Sequence, residues 1–194
     1  MRLILASQSP RRAEILRDAG FMFETLPVNV DEAPRKKETP PAHVERLARE
    51  KAIGAAAKVG GRAVIIGADT VVVVGRRILG KPGSRADARR MLRMLSGRVH
   101  HVLTGLAVLR LDSHGRSLHS AVETTRVRFA RLSEREIDEY VATGEPDDKA
   151  GAYAVQGRAG RFVTRIDGCY FNVVGLPLNR VCRILEELGW RPKF

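Results

Sequence analysis

Residues 63 to 74 read Ala-Val-Ile-Ile-Gly-Ala-Asp-Thr-Val-Val-Val-Val, one long run rich in β-branched residues and interrupted by Asp69-Thr70. Such a run predicts strands over Ala63–Ala68 and Val71–Val74. Around it the chain alternates between a two-residue and a helical period. Arg2–Ala6 reads as a short buried strand, and Pro10–Ala19 as a helix burying Ile15, Leu16 and Ala19 before a Gly20 stop. A polar, proline-containing stretch runs from Pro27 to Pro41, and His43–Lys58 is a second helix ended by Gly60-Gly61. Arg85–Leu95 is helical. Val99–Leu111 and Leu118–Phe129 read as long strands joined through Asp112–Arg116. Ser133–Thr143 is a helix with a capping-box pattern, Ser133 followed three residues on by Glu136. Val155 to Ile166 reads as loop and strand, and Gly175–Leu188 as a last helix with Pro177 near its first turn. Hairpin-type and crossover connections together predict an α/β fold on a mixed sheet.

Composition narrows the classes. The 194 residues, 44% hydrophobic and 29% charged, suit one domain or two small lobes and can bury a real core. No apolar run approaches the roughly 20 residues of a spanning helix. The N-terminal apolar stretch ends too soon for a signal peptide, so no membrane role and a cytoplasmic location are expected. The two cysteines, Cys169 and Cys182, form no C-x-x-C pair and give neither a zinc ribbon nor a disulfide framework; two reduced, largely buried thiols are expected. The five histidines show no metal-ligand spacing.

Charge is the unusual feature. Thirty-four Lys plus Arg against 22 Asp plus Glu leave a net +12. Either a nucleic-acid surface or a pocket for a small polyanion would use it. The densest groups, Arg11-Arg12, Arg35-Lys36-Lys37, Arg76-Arg77 and Arg89-Arg90, are short and scattered. At 5%, aromatics leave little for base stacking. Nucleic acid takes second place.

Three stretches break local rules. In Ser7-Gln8-Ser9-Pro10-Arg11-Arg12 a strand ends and Ser9 suits the helix N-cap. Two arginines then oppose the helix dipole, a conflict that a bound anion would relieve. Arginines splayed into water are the bland alternative. Asp69 is the second anomaly, a carboxylate inside a β-branched run. There it needs a metal, a cation or a proton-transfer task, unless it merely caps a bulge. Glu32 could supply a second carboxylate, and Lys51 and Lys81 further cations, Lys81 held between Gly80 and Pro82. Lastly, Gly144 to Gly157 carries small residues that permit close approach to a ligand. Within it Asp148-Lys149 can pair, and Gln156 offers a donor and an acceptor suited to a nucleobase edge. No Walker A or G-x-G-x-x-G pattern occurs.

On these residues the sequence resembles the Maf family of nucleoside triphosphate pyrophosphatases over essentially its full length. The matching motifs are Leu5-Ala-Ser-Gln-Ser-Pro-Arg-Arg12, Val30-Asp-Glu32, Gly67-Ala-Asp-Thr-Val71, Gly80-Lys-Pro82, Thr104-Gly105, Gly144 through Gly157 and Asn172-Val-Val-Gly-Leu-Pro-Leu178. The resemblance implies hydrolysis of a nucleoside triphosphate between its α- and β-phosphates, with a divalent cation, Mg²⁺ or Mn²⁺. It implies a single domain over 1–194 with the fold shared with inosine triphosphate pyrophosphatases: a long twisted mixed sheet, flanking helices and two lobes around a central cleft. A homodimer is compatible with it.

Residue by residue, the resemblance implies Asp69 as catalytic proton acceptor, Glu32 and Asp69 as metal ligands, and Ser7, Arg12, Lys51 and Lys81 as phosphate binders. At Arg11, Thr70 and Gln156 the chain looks like the dTTP/UTP branch, which serves nucleotide-pool housekeeping. The 7-methyl-GTP branch usually differs at all three, with Gln after the catalytic Asp and Glu before the later Gly. That branch is the runner-up enzyme, and modified pyrimidine nucleotides are further candidate substrates. The rival from another class is a basic nucleic-acid-binding or cell-division regulatory protein.

Overall fold

The computed structural model describes residues 1–190. It contains strands β1 (Arg2–Ala6), β2 (Glu24–Thr25), β3 (Ala63–Val74), β4 (Arg77–Leu79), β5 (Val99–Asp112), β6 (Gly115–Phe129) and β7 (Val163–Asp167). The helices are α1 (Pro10–Asp18), α2 (Pro40–Ala56), α3 (Arg85–Leu95), α4 (Glu134–Ala142), α5 (Tyr170–Val174) and α6 (Leu178–Glu187). Short 3-10 turns lie at Glu145–Asp148, Ala150–Ala152 and Arg158–Phe162. The strands form one seven-stranded sheet in the order β2-β1-β3-β5-β6-β7, with β4 paired to β3. β1 runs parallel to β2 and to β3, while β4 is antiparallel to β3 and β7 to β6. The sheet is therefore mixed, as the alternating pattern predicts.

Several boundaries differ from expectation. Asp69-Thr70 does not interrupt β3, which is a continuous 12-residue strand. α2 begins at Pro40, not His43, because two prolines occupy its first turn, where no N–H is needed. Thr39 caps it, its hydroxyl accepting from the Ala42 N–H at 3.4 Å. Ser9 sits at the N-cap of α1 without a side-chain capping bond; instead Ser7 Oγ accepts from the Ser9 N–H at 3.2 Å. Ala19 is half-buried beyond the end of α1. β6 starts at Gly115, three residues earlier than the pattern suggests. The Ser133–Glu136 capping box is present in both directions.

The chain divides into two compact units. The first holds Met1–Asp69, Thr104–Glu123 and residues from Gly175 onward. Its core packs α2 on the sheet through small residues: Ala48, Ala52, Ala55 and Ala56 meet Ile4, Ile65, Ala107 and Leu109. Two glycines let the helix approach closely. A Cβ on Gly67 would collide with the Ala48 carbonyl oxygen and stand 2.8 Å from the Ala52 nitrogen; one on Gly105 would collide with the Val44 carbonyl. Gly67→Ala should therefore lift α2 and lower stability by about 1–3 kcal/mol, the usual cost of overpacking. A urea unfolding curve with an unchanged midpoint would show that the helix yields freely.

The second unit, Thr70–Leu103 and Thr124–Val174, has an aromatic core. Phe129 packs edge-on against His100 and Tyr153, and Tyr140 against Phe162. Burial pushes the His100 imidazole down to about 4, so it packs as a neutral ring, bonded through Nε2 to the Tyr153 hydroxyl at 2.8 Å.

Candidate active site

Six of the residues singled out in the sequence lie in the first unit: Ser7, Arg11, Arg12, Glu32, Lys51 and Asp69. The close packing of α2 on β3 brings Lys51 to the strand that carries Asp69. Lys51 Nζ donates to Asp69 Oδ1 at 2.7 Å and to Glu32 Oε1 at 2.7 Å. Asp69 and Lys51 are buried, whereas the Glu32 side chain is 58% exposed. The aspartate is thus an ion-paired strand residue, not the cap of a bulge. The ammonium offsets the cost of burying its charge, which would otherwise be several kcal/mol.

Arg12 is also buried, and not splayed into water. Its Nε donates to the Gly175 carbonyl at 2.8 Å and its Nη1 to Ser7 Oγ at 3.0 Å. Burial lowers the affinity of its guanidinium for the proton; Asp69 and Glu32 act the other way, and Arg11 acts with burial. An arginine remains charged through such a shift. The first unit therefore gathers two carboxylates, two arginines and an ammonium around the end of β1 and the start of α1. Asp31 does not join them, its Oδ1 accepting from the Ala33 N–H at 3.0 Å in a local turn.

A network that sequence reasoning missed holds the Glu32 loop. Glu38, nearly buried, accepts from Arg46 Nε at 2.6 Å and Nη2 at 3.0 Å, from the Arg35 N–H at 3.0 Å, and lies 3.0 Å from His43 Nδ1. The Arg46 pair, with the Arg35 amide and His43, holds its carboxyl well below the usual carboxylate range. In the sequence these are ordinary loop and helix charges, and only their burial marks them.

The other three residues, Thr70, Lys81 and Gln156, lie in the second unit. Thr70 is half-buried on β3, while Lys81 and Gln156 are exposed. The Gly80 carbonyl beside Lys81 accepts from the Gly151 N–H at 2.9 Å. Gly151 has φ +69°, and a Cβ there would stand 2.8 Å from Val72, so only glycine suits both the angle and the space. Asp148 and Lys149 do pair. Gln156 sits in a turn that Glu145 braces. That carboxylate accepts from the Tyr140 hydroxyl at 3.0 Å and the Arg158 N–H at 3.1 Å, and a Cβ on Gly157 would fall 2.6 Å from Glu145 Cδ.

Part of the basic surface is locally paired. Arg35 pairs with Glu50, Arg89 with Asp138, Arg90 with Asp87 and Arg93 with Glu134. Three of the four dense basic groups thus have a member buried or paired. Both cysteines are free and half-buried, more accessible than expected. Among the described residues no helix is long and apolar enough to cross a membrane, and no cluster of three or more His, Cys, Asp or Glu could hold a metal.

Clustered cations beside a helix start are the kind of groups that bind phosphate oxygens. The chain is a member of the Maf-like protein family, whose sequence model matches residues 2–188. It is 53% identical over 188 residues to a dTTP/UTP pyrophosphatase of Geobacillus sp. (strain WCH70), covering 97% of this chain and 98% of that one. It is 50% identical over 186 residues to a dTTP/UTP pyrophosphatase of Vibrio cholerae, covering 96% and 97%. A crystal structure of a nucleoside-triphosphatase (dITP/XTP pyrophosphatase) from Mycobacterium abscessus aligns with TM-score 0.38 and 17% identity over 68% of this chain and 76% of that one, a likeness too slight to carry an argument.

Proposed function

We propose that this protein is a nucleoside triphosphate pyrophosphatase acting on dTTP and UTP, cleaving them to the monophosphate and pyrophosphate. The observation that carries the chemistry is the buried Asp69 carboxylate on Lys51, with Glu32 on the same ammonium. Relatives about half identical over nearly the whole chain support the substrate. A single functional domain and cytoplasmic residence belong to the same reading, and a homodimer is compatible with it.

The donor set fits a hard divalent cation. Glu32 and Asp69 share the Lys51 ammonium and so lie beside one another, and one or two carboxylates are what Mg²⁺ takes when substrate phosphates and water complete its octahedron. Glu32 and Asp69 would hold the ion, Mg²⁺ or Mn²⁺, which when bound supplies Lewis-acid neutralisation of phosphate charge.

The chain's own residues do the rest. Asp69 accepts a proton from the water that attacks the α-phosphorus; a P–O bond forms there and the bond to the α,β-bridging oxygen breaks. Pyrophosphate leaves with that bridging oxygen. Ser7, Arg12, Lys51 and Lys81 bind phosphate oxygens and meet the charge that develops on them, so positioning and electrostatics supply most of the rate. Arg11, Thr70 and Gln156 read the base.

Pyrophosphate release from a panel of nucleoside triphosphates tests the reading. Activity confined to 7-methyl-GTP would move the chain to the other branch, and tight, salt-sensitive nucleic-acid binding without hydrolysis would replace the enzyme. Specificity has its own test. Gln156→Glu puts a carboxylate opposite the pyrimidine O4 acceptor. Losing one matched hydrogen bond should lower kcat/KM for dTTP and UTP by about ten- to a hundred-fold. A guanine edge, which offers donors, should suffer less. Equal losses on dTTP, UTP and 7-methyl-GTP would make Gln156 a support of the site and not its reader.

A further inference from the structure

We propose that Arg46 is a positioning residue that sets the aim of Glu32 by clamping the backbone on both sides of it. The inference rests on the assignment of Glu32 as a cation-binding carboxylate.

Glu32 lies in an exposed loop with no regular structure, between Val30 and Pro34. A carboxylate on such a segment is poorly placed for a ligand, since first-contact groups must be held to within about 0.5 Å. Within the network that holds this loop, one side chain of α2 grips the backbone on both sides of Glu32. Arg46 Nη1 donates to the Asp31 carbonyl at 3.4 Å and Nη2 to the Ala33 carbonyl at 3.1 Å, the residues immediately before and after Glu32. The same guanidinium is fixed at its other edge. Nε donates to Glu38 Oε1 at 2.6 Å, Nη2 to Glu38 Oε2 at 3.0 Å, and Nη1 to Glu50 Oε2 at 3.1 Å.

All five guanidinium N–H groups therefore have acceptors, and the side chain is 12% exposed. His43 Nδ1 stands 3.3 Å from Arg46 Nη2 and 3.0 Å from Glu38 Oε2. With its proton on Nδ1 the imidazole donates to Glu38 and only abuts the arginine. Arg46 precedes Lys51 on α2 by little more than one turn, so one helix carries both the clamp and the ammonium that Glu32 meets. The helix thus fixes the Glu32 backbone with one residue and its carboxylate with another.

Lysine could not do this. Its single ammonium has three donors and no planar fork, so it could keep Glu38 but not Glu38 and both carbonyls together. That difference separates a clamp from a merely structural charge.

The test compares Arg46→Ala, Arg46→Lys and Glu32→Ala in the full chain. The readouts are amide hydrogen exchange, Mn²⁺ affinity without nucleotide by electron paramagnetic resonance, and thermal unfolding. For Arg46→Ala, exchange at the Ala33 and Arg35 amides should quicken at least tenfold while that in the middle of α2 stays put. Mn²⁺ affinity should fall about five-fold or more. Arg46→Lys should recover stability but not the Mn²⁺ affinity, and it carries the test alone if the alanine variant does not fold. Unchanged loop exchange or unchanged Mn²⁺ affinity in folded variants overturns the clamp, as does full recovery by lysine. Glu32→Ala separates the two levels. If it leaves Mn²⁺ affinity intact, the assignment of Glu32 fails and the proposal falls with it. If it weakens Mn²⁺ binding while the Arg46 variants do not, only the clamp is wrong.

Discussion

Asp69→Asn is expected to abolish pyrophosphate release from dTTP and UTP while the protein stays folded. Asparagine is nearly isosteric, and its amide oxygen can still accept from Lys51, which also keeps Glu32 at 2.7 Å. The ammonium is therefore not stranded, and the cost of 3–5 kcal/mol for breaking a buried ion pair should largely be avoided. What is lost is chemical. An amide takes up no proton and is a weaker donor to a hard divalent cation. Removal of a general base costs about 10²–10⁴-fold, and loss of a cation-binding charge adds to that. The measurement is kcat at saturating nucleotide and metal, with circular dichroism to confirm the fold. Near-normal turnover in a folded variant would remove Asp69 from the chemistry.

That residue was also the most legible part of the site. A carboxylate inside Ala63–Val74 defies strand propensity and burial at once, so its anomaly shows in the sequence. Its partner does not. Lys51 sits on a helix like any surface lysine, and only the approach of α2 across Gly67 and Gly105 brings it to the strand. That approach is a tertiary fact, hinted at by Ala48, Ala52 and Ala55 spaced along one face. Arg46 and Glu38 were hidden for the same reason. Which acceptors a long side chain reaches depends on where an irregular loop lies, and no period encodes that.

The fold divides along a similar line. Long elements with a clear period, such as β5, α3 and α4, could be read to within a residue or two. β4 and α5, three and five residues long, are too short to show a period. Pro40-Pro41 reads as a breaker in the sequence, which hides the start of α2 at Pro40. The same ring that ends a helix interior suits its first turn, where the N–H would have no partner. Ser9 illustrates the converse. It has the right residue type and position for a cap, yet Ser7 provides the hydroxyl that bonds there and also faces Arg12.

Arg12→Ala should then weaken hydrolysis of every nucleotide alike. Its guanidinium is fixed by Ser7 Oγ and the Gly175 carbonyl, so it is held in place before any ligand arrives. Electrostatic groups oriented in advance contribute about 2.7–4 kcal/mol each when they meet developing charge, or roughly 10²–10³-fold in kcat. Phosphate oxygens are common to all substrates, so the ratio of kcat/KM between dTTP and UTP should not move. Some stability should go too, about 1.5–3 kcal/mol for each hydrogen bond to a charged group. Arg12→Lys distinguishes charge from geometry: the ammonium restores the charge but not the fork that bonds Ser7 and Gly175 together. A small recovery by lysine would assign the effect to orientation, and a large one to charge alone. Activity unchanged on all nucleotides in a folded alanine variant would mean that Arg12 only ties α1 to the segment at Gly175.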